Sequence, residues 1–325
     1  MKAVVQSALS SISIDNLSSY PDAAALYAKL ATFENVRTEN LVLSTGSDGV
    51  IRAMFEAFIE PGDSVLFPQP TFAMYSVYAQ MYGASPIAVP YRPSNKGPAL
   101  SADDIVEAIQ SSAPKAVCLP NPDSPTGTVF DLSDMRTIID AAEAAGALML
   151  VDEAYYPFHD ETVLPWINDY PNLIVTRSTG KAWALAGFRI GYAAASPNVA
   201  AILHKVRAMY ETNTVAVAVF EKMLDHEDYM RASVSRLLAG KAQFLNAMGE
   251  LGFRTLDGQG NFLHVAFGAK AAAIHQALDG VVYYRRDFDE PCLNGFSRFS
   301  AATPAQFTPV IDIIRKAAST ESDGK

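Results

Sequence analysis

Two cations stand in apolar company in "NLIVTRSTGKAWALAGFRIGYAAAS", residues 172–196: Lys181, just after a Ser/Thr/Gly turn, and Arg189, at the end of the run that follows. Uncompensated charge in such surroundings is costly. The arginine therefore calls for an anion. The lysine either snorkels its head into solvent or is a desolvated amine of lowered pKa, which is a nucleophile. In "LMLVDEAYYPF" an apolar run ends in Asp152 and Glu153, followed by Tyr155 and Tyr156. A carboxylate buried at a strand end needs a cationic partner. The small residues of "STGSDGVIRAMF", with Gly46, Ser47 and Asp48 at their centre, lead into a helical pattern. A helix start offers free N–H groups and so a phosphate site, unless Ser47 or Asp48 simply caps it. Any phosphate there would take the backbone N–H groups of Ser47 and Asp48, because the Asp48 carboxylate repels it.

A nucleophilic amine, a buried acid, N–H groups with a cation for a phosphate, and a flat side chain to lie on a ring are together the demands of pyridoxal phosphate. Phe72 in "QPTFAMY" offers the flat side chain. Other chemistries fail on spacing. "STGKA" lacks both the first glycine and the Ser/Thr of a P-loop, and His226-Glu227 has Met230 where a zincin needs histidine. No G-x-S-x-G elbow occurs, and the five histidines form no cluster with metal-ligand spacing, so no metal is expected.

The elements that must position these residues follow a strand-then-helix rhythm. "NLVLSTG" leads into "VIRAMFEAFIE", "SVLFPQP" into "FAMYSVYAQMYG", "KAVCLPNP" into "DLSDMRTIIDAAEAAG", and "ALMLVDEAYY" towards the strand at Leu173. Short apolar runs alternating with amphipathic helices predict an α/β fold with a mainly parallel sheet covered on both faces. Ligands of such sheets sit in loops at the carboxyl ends of the strands. The loops at 44–49, 69–72, 121–127, 152–156 and 177–181 are thus expected to converge. Beyond residue 200 long helical patterns precede short strands near "NFLHVAFG" and "GFSRFSA". The expected division is a large domain over 15–200 and a smaller α+β domain over 201–325, with a short helix within 1–14 packed on the latter.

The 325 residues carry 25 basic against 35 acidic side chains, a net charge of −10, which argues against nucleic acid or an anionic membrane as partner. Cys118 and Cys292 form no C-x-x-C pair, so neither a disulfide framework nor a thiolate metal site is indicated. No stretch has the length of a membrane span, and "MKAVVQSALSSISIDN" is too interrupted for a signal sequence. A cytoplasmic protein is expected, with a tail, "STESDGK", that frays.

On "SSYPDAAALYAKLA", "PGDSVLFPQPTFAMYSVYA", "NPDSPTG", "LVDEAYYPF", "STGKAWALAGFRIGY" and "RFSAATPAQ", in that order, the chain resembles the fold-type I pyridoxal-phosphate enzymes. Within them it resembles the histidinol-phosphate aminotransferase-like group of class I/II aminotransferases. The resemblance implies a seven-stranded-type sheet in the large domain and a homodimer acting on small amino and 2-oxo acids. It implies that Lys181 carries the cofactor as a Schiff base and then shuttles protons, that Asp152 faces the pyridine nitrogen, and that Tyr155 bonds the ring's O3′. Phe72 would stack on the ring. Gly46, Ser47, Asp48 (by its backbone), Ser178 and Arg189 would hold the phosphate, joined by Tyr20 reaching across from the partner subunit. Arg298 would bind the substrate α-carboxylate.

Two departures from the family pattern stand out. Ser124 occupies the cofactor-binding position where the family has an asparagine before "PTG". The chain also begins only a short helix before "YPD", where the family carries an arm that closes over substrate. Asn121 and Asp123 read as turn residues, though either could substitute for that asparagine, and Arg207 has no assigned role. Transamination is the leading expectation. A decarboxylase or lyase on the same cofactor, akin to threonine-phosphate decarboxylases, would share nearly every residue named, and a non-catalytic cofactor-binding module is the third alternative.

Overall fold

The computed structural model describes residues 2–319; of the tail expected to fray, everything beyond Ser319 lies outside the described residues. Among the described residues there are twelve strands: β1 (Leu41–Ser44), β2 (Ser64–Gln69), β3 (Ser85–Pro90), β4 (Arg92–Ser94), β5 (Gly97–Ala99), β6 (Ala116–Pro120), β7 (Leu148–Asp152), β8 (Leu173–Ser178), β9 (Gly191–Ala195), β10 (Arg254–Leu256), β11 (Phe262–Ala266) and β12 (Ser297–Ser300). Seven of them form one sheet in the order β1-β9-β8-β7-β6-β2-β3. All its neighbours run parallel except β9, which is antiparallel to both β8 and β1.

The central strands are apolar throughout because both faces are covered. Successive side chains alternate between two cores. Val117, Leu119, Met149, Val151 and Val175 point into one, and Cys118, Leu150 and Ile174 into the other. The helix Leu132–Ala144 begins where Asp131 accepts the Asp134 N–H at 2.9 Å. Ser101 and Asp104 make a reciprocal capping box at the start of Ala102–Ser112, a local stop-and-start signal of the kind worth roughly 1 kcal/mol each.

A second sheet, β10-β11-β12, is antiparallel. It packs with the helices Glu227–Glu250, Ala271–Ala277 and Pro304–Ser319 around Phe244, Met248, Phe299 and Phe307. The packing changes hands inside the long helix: Met230 and Val234 belong to the large-sheet core, whereas Phe244 and Met248 belong to the small one. The helix Thr214–Met223 also joins the large core through Ala216, Val217, Val219 and Phe220. The first helix, Lys2–Ser10, lies on it with Val4 and Ala8 buried. The border expected at 200/201 from composition thus falls short of the change in packing, since helical amphipathicity does not say which sheet a stripe will cover.

Candidate active site

Lys181 leaves β8 by the turn Ser178–Gly180, where the Gly180 N–H donates to Ser178 Oγ at 3.1 Å. Its ammonium is half-buried and lies 5.0 Å above the Tyr155 ring centre. Asp152 closes β7 and is 5 % exposed. Its Oδ1 accepts the Ala154 N–H at 3.0 Å and its Oδ2 the Tyr75 hydroxyl at 3.2 Å. Burial pushes this carboxyl up to about 6, while the two hydrogen bonds and the Lys181 charge pull it back. The cation whose charge bears on this buried acid is Lys181, which follows the neighbouring strand β8 and lines the same cavity.

The anion end is built by β1 and the helix Ser47–Phe58. Gly46 is the N-cap residue, and among the described residues no side-chain hydrogen bond caps this helix. Ser47 and Asp48 do not cap; the Asp48 carboxylate instead accepts the Tyr78 hydroxyl at 3.1 Å. The turn needs two glycines. Gly46 has φ +88°, and a Cβ on it would sit 3.0 Å from Arg189 Nη2. A Cβ on Gly191, across the sheet, would fall 2.5 Å from both Gly46 C and Ser47 N. Arg189 itself adopts the left-handed region, φ 54°, a conformation that costs a non-glycine residue on the order of 1 kcal/mol. It folds the guanidinium back onto this turn, donating to Thr45 O at 3.4 Å and Ala186 O at 3.2 Å.

The opposite end is closed by the small sheet. Arg298 on β12 is half-buried, stands 5.2 Å over the Phe262 ring and donates to Ser124 Oγ at 3.4 Å. Burial lowers its pKa, Tyr155 raises it and Arg285 lowers it further. Tyr155 packs edge-on against Phe262 with ring centres 5.4 Å apart.

One cavity of about 440 Å³ is lined by Gly46, Ser47, Asp48, Phe72, Ser124, Asp152, Tyr155, Ser178, Lys181, Arg189 and Arg298. Five strand-end loops and one strand of the small sheet thus meet there. Tyr20 is not among the lining residues: it is 78 % exposed and stacks on Tyr210, ring centres 4.3 Å apart. Asn121 is the turn residue expected, exchanging hydrogen bonds with Phe130 at 3.0 and 2.9 Å. Tyr75 and Asp123 are additions that sequence reading missed. Tyr75 lies one helical turn after Phe72, a spacing that could have placed it beside the site.

The residues fit a cofactor with a phosphate handle and a carbonyl. Uncapped helix amides and Arg189 suit the phosphate, a buried acid beside a lysine suits a protonated ring nitrogen, and the lysine amine suits an imine. Fold and cavity together define a type I pyridoxal-phosphate enzyme.

Comparison with known proteins narrows the class. The family model for aminotransferase class I and II matches residues 1–314. The histidinol-phosphate aminotransferase of Thermoanaerobacter sp. (strain X514) is 34 % identical over 274 residues, 83 % of this chain and 76 % of that protein. That of Symbiobacterium thermophilum is 32 % identical over 307 residues, 92 % and 82 % of the two chains. Among solved structures, the histidinol-phosphate aminotransferase of Clostridium acetobutylicum superposes with a TM-score of 0.85 at 19 % identity, covering 97 % of this chain and 95 % of that one. The Sinorhizobium meliloti enzyme in complex with pyridoxal-5'-phosphate gives 0.82 at 22 % identity, covering 97 % and 86 %. The chain belongs to the class I and II aminotransferases. Membership brings the family's cofactor, pyridoxal 5'-phosphate, and its reaction, transamination between small molecules.

Proposed function

We propose that this cavity is the active site of a homodimeric aminotransferase whose amino substrate carries an anionic group read by Arg298. The single observation that supports it most is the convergence of Lys181, Asp152, Arg189 and Arg298, from four separate strands or loops, on one cavity. When bound, pyridoxal phosphate supplies a carbonyl that captures amines and a ring that draws electrons from the substrate's Cα. Lys181 Nζ would hold the cofactor covalently, and its free amine would take up and return the proton at the substrate's Cα. Asp152 would keep the ring nitrogen protonated, and the hydrogen bonds it accepts from Tyr75 and Ala154 favour its ionised form. Tyr155 would donate to the ring's phenolic oxygen, and Phe72 would shield the ring from water. The amides of Ser47 and Asp48, with Ser178 and Arg189, would take the phosphate at the turn made by Gly46. Ser124, hydrogen-bonded to Arg298, would stand at the cofactor's edge. Arg298 orients the Cα–H bond towards Lys181, the positioning effect that makes proton transfer fast.

The curated relatives are named for histidinol phosphate, so this amine is the first candidate donor here and a 2-oxo acid the acceptor. A second subunit is favoured by Ile14, Tyr20 and Met209, large apolar side chains that are 79, 78 and 81 % exposed; Tyr20 would then reach the partner's cofactor phosphate. Among the described residues no helix is long and apolar enough to cross a membrane, and both cysteines are free thiols, which fits a cytoplasmic protein.

The test is a panel of amines, histidinol phosphate first, offered to the purified holoenzyme with and without a 2-oxo acid. Formation of the corresponding oxo product supports the reading. Carbon dioxide release would make it a decarboxylase, and an unreactive cofactor with every amine would leave a binding module.

A further inference from the structure

Asp123 sits in "NPDSPTG", one residue before the cavity-lining Ser124, and is 1 % exposed. Its carboxylate is held by hydroxyls and not by a cation: Thr71 Oγ1 donates to Oδ1 at 2.7 Å and Tyr91 OH to Oδ2 at 2.9 Å, with the Ser124 amide as a further donor. Tyr91 OH also touches Thr128 Oγ1 at 2.6 Å. The Asp123 backbone closes the same loop, its N–H donating to Thr128 O at 2.9 Å and its carbonyl accepting from Gly127 at 2.8 Å. An acid buried among neutral donors costs stability, so a turn alone is a poor reason for it.

What it holds is informative. Thr71 is bound to Asp123 and Tyr75 to Asp152, so the short segment between them is anchored by a buried acid at each end. Phe72, which lines the cavity, lies in that segment and packs edge-on against Tyr75 at 5.7 Å. On its other side Asp123 fixes Ser124, the acceptor of the Arg298 hydrogen bond.

We propose that Asp123 is a positioning residue for the cofactor, seating Phe72 through Thr71 and Ser124 through the backbone. This rests on the active-site reading above. The groups that face Asp123 are Tyr91 after β3, Tyr75 on the helix Met74–Met81, Asp152 at the end of β7 and Cys292 on the turn Pro291–Leu293, with Arg298 beyond Ser124. Burial pushes both phenols and the thiol upward, so they stay neutral near pH 7. Burial pushes Asp123 up to about 7 while the Thr71, Tyr91 and Ser124 donors pull it back, and Asp152, which ionises first, adds its charge to the upward push.

The experiment strips the full-length protein of cofactor and titrates it with pyridoxal 5'-phosphate by absorbance across mildly acidic to mildly alkaline pH. Asp123→Asn, with melting of the apoprotein as a folding control, is expected to weaken cofactor affinity about tenfold. It is also expected to shift the absorption band of the bound cofactor, because Phe72 and Ser124 line the cavity that holds it. Unchanged affinity, or weaker affinity with an unmoved band, overturns the proposal. Should Asp123→Asn fail to fold, Thr71→Val keeps the acid and removes one donor; weaker cofactor binding supports the seating of Phe72, and wild-type affinity overturns it. Wild-type protein that took up no cofactor would instead contradict the active-site reading itself.

Discussion

The hydroxyl of Tyr75 donates to the carboxylate of Asp152 at 3.2 Å, and Tyr75 is completely buried. This bond favours the ionised acid, the form that can hold a proton on the cofactor's ring nitrogen.

Tyr75→Phe removes that donor and raises Asp152 above its value of about 6. An acid whose pKa rises is ionised over a narrower range, so the acid limb of kcat/KM is expected to move to higher pH, by roughly half a unit to one unit. A pH–rate profile checks it, and superimposable limbs would contradict it.

Gly191→Ala brings a methyl to 2.5 Å from the Gly46–Ser47 peptide. The β1 turn must shift, which is expected to cost about 1–3 kcal/mol and to weaken cofactor binding more than it slows the bound enzyme. Thermal melting with a cofactor titration tests this; wild-type values for both would show that the turn does not need the gap.

Arg177 tests the scaffold behind the site. Its guanidinium bonds Glu153 at 2.9 and 3.1 Å, Glu34 at 3.0 and 3.1 Å and Thr162 at 2.8 Å, and stacks 3.6 Å over Tyr156. Tyr192 also donates to Glu34. The side chains of Arg177, Glu34 and Glu153 are 5, 7 and 3 % exposed. Arg177→Met strands two buried carboxylates and is expected to destabilise the fold by about 3–5 kcal/mol, read from urea unfolding; a loss within experimental error would contradict it.

Much of the site is legible in the sequence because the fold itself places it. An apolar run ending in Asp152, a glycine turn before a helix and a lysine after a strand all fall at strand ends, where a parallel sheet gathers its ligand loops. Asp123 and Tyr75 escape that reasoning. Between two prolines an aspartate looks like turn chemistry, and its burial arises only when Thr71 and Tyr91, distant in sequence, bond to it. In the sequence the amides of the helix at Ser47 are open to capping or to phosphate, and it is the Tyr78 hydrogen bond to the Asp48 side chain that separates the two. Tyr20 is exposed and lines no part of the cavity in the single chain, so the role proposed for it rests on a second subunit.

Arg298→Ala should lower kcat/KM for the amine by about 30- to 100-fold, the loss of a charged hydrogen-bonded contact. Arg298→Lys should restore little, since an ammonium cannot reproduce the planar fork. Steady-state kinetics with the amine identified by the panel decide it, and a variant with unaltered kcat/KM would remove Arg298 from substrate recognition.

The most direct measurement is borohydride reduction of the holoenzyme followed by peptide mass spectrometry. A phosphopyridoxyl group on Lys181, absent from Lys181→Ala, is the expected result. No adduct, or an adduct confined to another lysine, would contradict the account at its root.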